Sequence, residues 1–237
     1  MTRTIRTLLV ICVLCTPFVC GCTEHQPQYG TENQLFLPGR QRQVWAVAPA
    51  IDLSGEGVDP LLQADLLFNQ LQQVRGLTVI PVNRVAEVYA SLRIGQVQSE
   101  EQAAVVCDLL GCDALVVPTV TLYDPYNPPK FGASLQLFNK VPSFARPAAV
   151  DPRELARQAS PQPMDSLPAT ANFQQAVGVY DASNGSTRQA LSLYAQGRHE
   201  PVGPLGEKEY LVSMDRYCGF AYYTLIRELV YGAGARR

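Results

Sequence analysis

The 237-residue sequence predicts a mixed α/β fold, an α+β arrangement built on a mixed sheet. Three observations predict it. Short apolar runs rich in strand formers alternate with helical-period segments in the first half, pairs of strand-like runs around turn residues follow, and a long apolar stripe closes the chain.

Val44-Trp45-Ala46-Val47-Ala48-Pro49-Ala50 and Leu77-Thr78-Val79-Ile80-Pro81-Val82 are short apolar runs of the kind that form buried strands. Between them, Asp59-Pro60 is a helix start, with Asp as N-cap and Pro at the first helical position. Leu62, Leu66, Leu67, Leu71 and Val74 then keep helical spacing to a stop at Gly76. The result is a strand-helix-strand unit, which implies a right-handed crossover. Asn83 is read as the cap of a short helix carrying Val85, Val88, Tyr89 and Leu92. Ser99 with Gln102 forms a capping box for another, in which Ala103, Val106, Cys107 and Leu110 share a face and Gly111 ends it.

Two β-hairpins are expected next. The first joins Ala114–Tyr123 to Phe131–Asn139 through Asp124-Pro125-Tyr126-Asn127-Pro128-Pro129, and Pro118 inside its first strand suggests an edge or a bulge. The second joins Phe173–Asp181 to Arg188–Ala195, with Asn184-Gly185 supplying a turn that tolerates positive φ. Leu211, Met214, Cys218, Ala221, Leu225 and Leu229 predict a C-terminal core helix. Between the hairpins, Val141 to Thr170 holds six prolines and reads as an insertion in a single domain spanning 44–232, with 233–237 as a tail.

The N-terminus carries different information. Arg3 and Arg6 precede an apolar run from Leu8 to Val19, the charge-then-apolar order of an export signal and too short for a spanning helix. The run ends in Val19-Cys20-Gly21-Cys22, which resembles a bacterial lipobox. By that resemblance residues 1–21 are a lipoprotein signal peptide and Cys22 becomes the N-terminal residue carrying palmitate-type acyl chains, which hold the protein on a membrane without a protein span. Residues 22–43 read as a flexible tether. Thr23 stands after that Cys in place of the Asp that retains lipoproteins in the inner membrane of enteric bacteria, and by resemblance to that sorting rule the outer membrane and a periplasm-facing body are favoured. After removal of residues 1–21 the charge is -4, which offers no clustered cations for a phosphate backbone and argues against a nucleic-acid partner.

Val44-Trp45-Ala46-Val47-Ala48-Pro49, Leu109-Leu110-Gly111-Cys112-Asp113-Ala114-Leu115-Val116-Val117 and Asp181-Ala182-Ser183-Asn184-Gly185 are similar to the opening strand, the helix-to-strand step and the hairpin turn of a known domain. It is an α/β domain of envelope lipoproteins that include the curli-secretion lipoprotein and the lipoprotein activator of penicillin-binding proteins. The resemblance implies a fold. The prolines of 141–170 argue against the membrane-spanning strand insertion of the pore-forming relative.

Catalytic chemistry has few candidates. The two histidines are His25 in the tether and His199 beside Glu200, and neither Gly-x-Ser-x-Gly nor His-Glu-x-x-His occurs. Gly203-Pro204-Leu205-Gly206-Glu207-Lys208 lacks phosphate-loop spacing, and Ser54-Gly55-Glu56-Gly57 reads as a turn. Cys107, Cys112 and Cys218 leave three outcomes open: a Cys107–Cys112 disulfide, a Cys107–Cys218 disulfide, or buried free thiols. Metal binding is disfavoured because only one ligand hook is present. Tyr123, Pro125 and Tyr126 are either an aromatic contact surface or local packing of the turn. The expectation is a non-enzymatic protein without a cofactor, anchored to the envelope by lipid and binding another envelope protein in assembly, secretion or wall synthesis. A small-ligand-binding or hydrolytic lipoprotein using the His199 loop is the alternative.

Overall fold

A computed structural model describes residues 34–39, 42–140, 173–196, 198 and 203–232. The signal peptide, Cys22, the insertion 141–170, His199 and Glu200 lie outside them. Six strands form one mixed sheet: β1 (Gln43–Val47), β2 (Ile51–Asp52), β3 (Leu77–Ile80), β4 (Ala114–Asp124), β5 (Lys130–Asn139) and β6 (Phe173–Asp181). Among the described residues six α-helices accompany them: α1 (Pro60–Leu71), α2 (Val82–Leu92), α3 (Glu100–Leu110), α4 (Gly185–Ala195), α5 (Glu209–Val212) and α6 (Met214–Tyr231). The mixed α/β class expected from the sequence is the observed one.

Strand order is β3-β1-β4-β5-β6, with β2 continuing beside β4. β1 runs parallel to β3 and β4, while β4, β5 and β6 are antiparallel to one another. The sheet therefore has a parallel half and an antiparallel half sharing β4. In the parallel half α1 connects β1 to β3, and its start is the one the sequence predicts. The Asp59 carboxylate accepts from the N–H groups of Leu61 and Leu62 at 2.9 and 3.4 Å, ahead of Pro60. The buried stripe is rotated from the expected one. Ala64, Leu67 and Leu71 are buried together with Gln63, whereas Leu62 faces solvent.

Helix α2 begins at Val82, after Pro81, and its N-cap makes no side-chain hydrogen bond, so Asn83 is not the cap. At α3, Ser99 Oγ accepts from Gln102 N at 3.3 Å as expected, and the Gln102 side chain reaches back to Gln98 N at 2.9 Å. Gly111, at φ 68°, then ends α3 in the left-handed region. Asp113 explains the resemblance at this step. Its carboxylate accepts from Val44 N at 2.8 Å and its own N–H donates to the Val44 carbonyl at 2.7 Å, fastening β1 to the start of β4.

Pro118 occupies a central strand, not an edge. Its position has the same parity as Val116 and Val120, whose carbonyls accept from Ala48 N and Leu53 N on the β1/β2 side. β1 has ended and β2 has not begun opposite it, so the missing donor falls where the ladder is interrupted. A bulge follows, between Val120 and Leu122.

The second hairpin does not form. Asn184 is the N-cap of α4, its Oδ1 accepting from Ser186 N at 3.1 Å, and Gly185 is the first helical residue with no positive φ. Leu191, Tyr194 and Ala195 are buried at helical spacing, so Arg188–Ala195 is helix, not strand. β6 pairs instead with β5, Phe173 opposite Phe138 and Asp181 opposite Lys130, across the insertion. Part of the segment expected as tether packs on the domain. Leu35 is buried, Leu37 packs on the core, and Arg75 exchanges backbone bonds of 2.9 Å with Leu35 and Leu37. The C-terminal stripe is interrupted at Ser213, whose extended φ/ψ (-99°, 114°) separates α5 from α6.

Two cores result. One face of the sheet carries α1, α4 and α6, with Tyr217, Tyr222, Phe131 and Phe220 among its largest fully buried side chains. The other carries α2 and α3 over Ala46, Ala48, Leu115 and Val117. Among the described residues no helix is long and apolar enough to cross a membrane.

Candidate functional site

The uncovered part of the molecule follows from the strand pattern. Side chains alternate between faces along each strand. In β5, Phe131, Ala133, Leu135 and Leu137 enter the larger core, so Gly132, Ser134, Gln136 and Phe138 face the other way. Gly132 is paired with Leu122 on one side and Val179 on the other. This places Leu122, Gly132 and Val179 in one row across the outer face of the antiparallel half. Leu122 is 36 % exposed and Val179 64 %. Leu53, one step beyond β2, bonds its N–H to the Val120 carbonyl at 2.8 Å and is 66 % exposed, extending the row. Helices α2 and α3 stop short of it, packing over the parallel half and the Phe138 end of β5.

Gly132 keeps the row flat. A Cβ there would meet Thr121 Oγ1 at 2.9 Å and Leu122 Cβ at 3.0 Å, so the bulge and the glycine are mutually required. The β4–β5 turn stands beside the row. There the three residues singled out from sequence separate: Tyr123 turns into the core, edge-on to Phe131 at 6.4 Å, while Pro125 and Tyr126 are exposed, Tyr126 at 82 %. The Asp124 carboxylate accepts from Tyr126 N at 3.2 Å, shaping the turn. Leu53, Leu122 and Val179 were missed by sequence reasoning. Which face each of these side chains takes is set by the pairing of β4, β5 and β6, which leaves no local mark in the sequence.

Two acidic turns have a shared construction. The Asp52 carboxylate accepts from Ser54 Oγ at 2.6 Å, Ser54 N at 2.9 Å and Val58 N at 2.9 Å, and Asp181 accepts from Ser183 Oγ at 2.6 Å and Ser183 N at 2.8 Å. These bonds hold both carboxyl groups below the usual carboxylate range. The Ser54-Gly55-Glu56-Gly57 segment is therefore a turn organised by Asp52. Gly206–Lys208 likewise forms a short 3-10 helix leading into α5.

A cleft of about 490 Å³ opens between α1, α4, α5 and α6, lined by Asn69, Gln70, Gln73, Tyr194, Arg198 and Arg216 among others. Arg198 stacks over Tyr194 and Tyr223, at 4.4 and 5.1 Å from the ring centroids, and donates to Gln73 Oε1 at 2.6 Å. The Tyr194 hydroxyl donates to Gln70 Oε1 at 3.0 Å, and burial pushes that phenol up to about 12. These groups are binders and orienters; a nucleophile–base pair is not among them.

The three cysteines among the described residues, Cys107, Cys112 and Cys218, are buried and carry thiols in this structure. Cys107 and Cys112 belong to the core under α2 and α3, and Cys218 to the core on the opposite face, beside Tyr222. A Cys107–Cys218 bond would have to pass through the sheet and is excluded. Among the described residues no three His, Cys, Asp or Glu side chains converge as a metal site would require.

No protein-family model matches the chain, and no curated protein does. Among solved structures, it is similar to the LpoB C-terminal domain from Salmonella enterica, with 12% identity over 44% of this chain and 76% of that one, at a TM-score of 0.36. A lipoprotein from Neisseria meningitidis matches with 14% identity over 68% of this chain and 99% of that one, at a TM-score of 0.39. A hypothetical protein from Chlamydia trachomatis matches with 13% identity over 80% and 98%, at 0.35. At TM-scores this low the likeness carries no role from those proteins to this chain.

Proposed function

We propose that the chain is a lipid-anchored, non-enzymatic cell-envelope protein whose α/β domain binds another envelope protein through the outer face of its antiparallel half-sheet. The exposed row of Leu53, Leu122 and Val179 beside Tyr126 carries the reading, because a contiguous apolar surface rimmed by polar groups is the usual form of a protein-binding site. The lipobox supports attachment at Cys22, with residues 22–33 as the tether and the outer membrane as the location favoured by Thr23. The acidic body favours a protein partner over nucleic acid.

A photo-crosslinking residue placed at Val179 in cells tests the reading. It is expected to give a discrete adduct that disappears in Leu122→Asp, while the same probe at Glu100, exposed on α3, gives none. Identical diffuse backgrounds from both positions would overturn it. Cys22→Ala is expected to release the protein from the membrane fraction and to reduce the adduct. The cleft at Arg198 favours a second reading, a small-ligand binder. A Val179 probe without an adduct, together with a loss of function in Arg198→Ala, would favour that alternative.

A further inference from the structure

We propose that Cys107 and Cys112 are the two ends of a disulfide that staples the end of α3 to the start of β4, leaving Cys218 as the reduced thiol. The placement follows from how α3 stops. Gly111 is in the left-handed region, and the N–H groups of Gly111 and Cys112 both donate to the Cys107 carbonyl, the second at 3.1 Å. A six-to-one bond of this kind defines the Schellman stop, which brings the side chain three positions before the end against the one just after the glycine. Those two positions are ordinarily filled by apolar residues in contact. Here both are cysteines.

The rest of the local structure agrees. Both residues are 1 % exposed in the same core cluster, and a thiol–thiol hydrogen bond joins their side chains, which sets the two sulfurs side by side. Lys140, paired with Asp108 at 2.6 Å, places a cation nearby. Asp113, the next residue, fastens β1 to β4, so the staple would sit at the root of the parallel half-sheet.

The chemistry is ordinary thiol–disulfide exchange. The thiolate of one cysteine attacks one sulfur of an oxidised disulfide donor and expels the donor's other sulfur as a thiolate. The thiolate of the second cysteine then attacks the first cysteine's sulfur in the mixed disulfide and expels the remaining donor sulfur as a thiolate. Two protein thiols lose two electrons and two protons, and the donor becomes two thiols. Because both sulfurs are buried in the finished fold, exchange takes place before the α3–β4 step closes.

The bond rests on the envelope reading for its oxidant in the cell, but its geometry is tested without it. The purified full chain is reduced, unfolded, and refolded in glutathione buffers of graded ratio. It is then alkylated in denaturant and digested with trypsin. Cys107 and Cys112 share the peptide Ile94–Lys130, and Cys218 lies on another. The expected result is an Ile94–Lys130 peptide lighter by two hydrogens and unlabelled, with Cys218 labelled. Its equilibrium constant with glutathione should be at least tenfold higher in the folded chain than in denaturant. A fully labelled Ile94–Lys130 peptide, or a constant equal or lower in the folded chain, would overturn the inference. A staple that forms in vitro while cell-derived protein is fully reduced would count against the envelope reading instead.

Discussion

The two halves of the sheet share β4 and differ in how they are covered. In the parallel half, β1, β3 and the first part of β4 lie between α1 and α6 on one face and α2 and α3 on the other. In the antiparallel half, α4 and α6 cover one face, and among the described residues no helix covers the other. The cause is connectivity. Parallel neighbours need a crossover, which leaves a helix on the sheet, whereas β4 and β5 are joined by a five-residue turn that leaves nothing behind. Among the described residues, an open sheet face is thus a by-product of changing strand direction within one sheet.

If stability resides in the doubly and singly covered cores and not in the open row, substitutions should divide along that line. Leu225→Ala, fully buried on α6, is expected to cost about 2–5 kcal/mol in urea unfolding through lost burial and a cavity. Gly132→Ala is expected to be the exception on the open face. Its Cβ strikes Thr121 and Leu122, so a loss of about 1–3 kcal/mol should appear in the same measurement. Two tyrosines of α6 should move apart. The Tyr222 hydroxyl donates to the buried Gln63 Oε1 at 3.0 Å, so Tyr222→Phe should destabilise by about 1–3 kcal/mol. The buried Tyr217 hydroxyl finds no partner among the described residues, so Tyr217→Phe should be neutral or stabilising by about 1 kcal/mol. Val179→Thr should change stability by less than about 0.5 kcal/mol while weakening the proposed contact. A stability loss as large as that of Leu225→Ala would show that the row is buried in solution.

The smallest expected effect concerns acid. Asp52 and Asp181 have lowered values in the folded chain, so their contribution is present above the ordinary carboxylate value of 3.8 and is lost as pH falls through the folded values. Both groups are solvent-accessible, so the effect should be slight. The urea midpoint of Asp52→Asn should depend less on pH below about 4 than that of the unsubstituted chain. An unchanged slope would show that the serine bonds do not persist in solution.

Legibility in the sequence followed the range of the interaction. Asp59-Pro60, Ser99 with Gln102, and Gly111 were readable because a cap acts within three or four residues. Asn184-Gly185 was misread because the same pair suits a hairpin turn and a helix start. The choice was made by burial of Leu191 and Tyr194 in the larger core, where Tyr194 packs on Phe220 and Tyr223 of α6, which no local signal contains. Gln63 was invisible for a related reason. An amide in an apolar stripe is tolerable only where a distant hydroxyl, that of Tyr222, meets it. The open row needed the pairing of three strands, including β6 from beyond the insertion.

The sequence by itself determined the mixed α/β class, the first strand-helix-strand unit, the first hairpin and the stop that sets Cys107 beside Cys112. These depend on contacts a few residues apart and on apolar periodicity. Tertiary structure alone decided that β6 pairs with β5, that Tyr123 turns inward while Tyr126 does not, that Cys218 lies across the sheet from the other thiols, and which half of the sheet is left open. Each of those depends on which distant segment reaches a surface first and covers it, and burial of that kind is shared between segments that carry no local mark of one another.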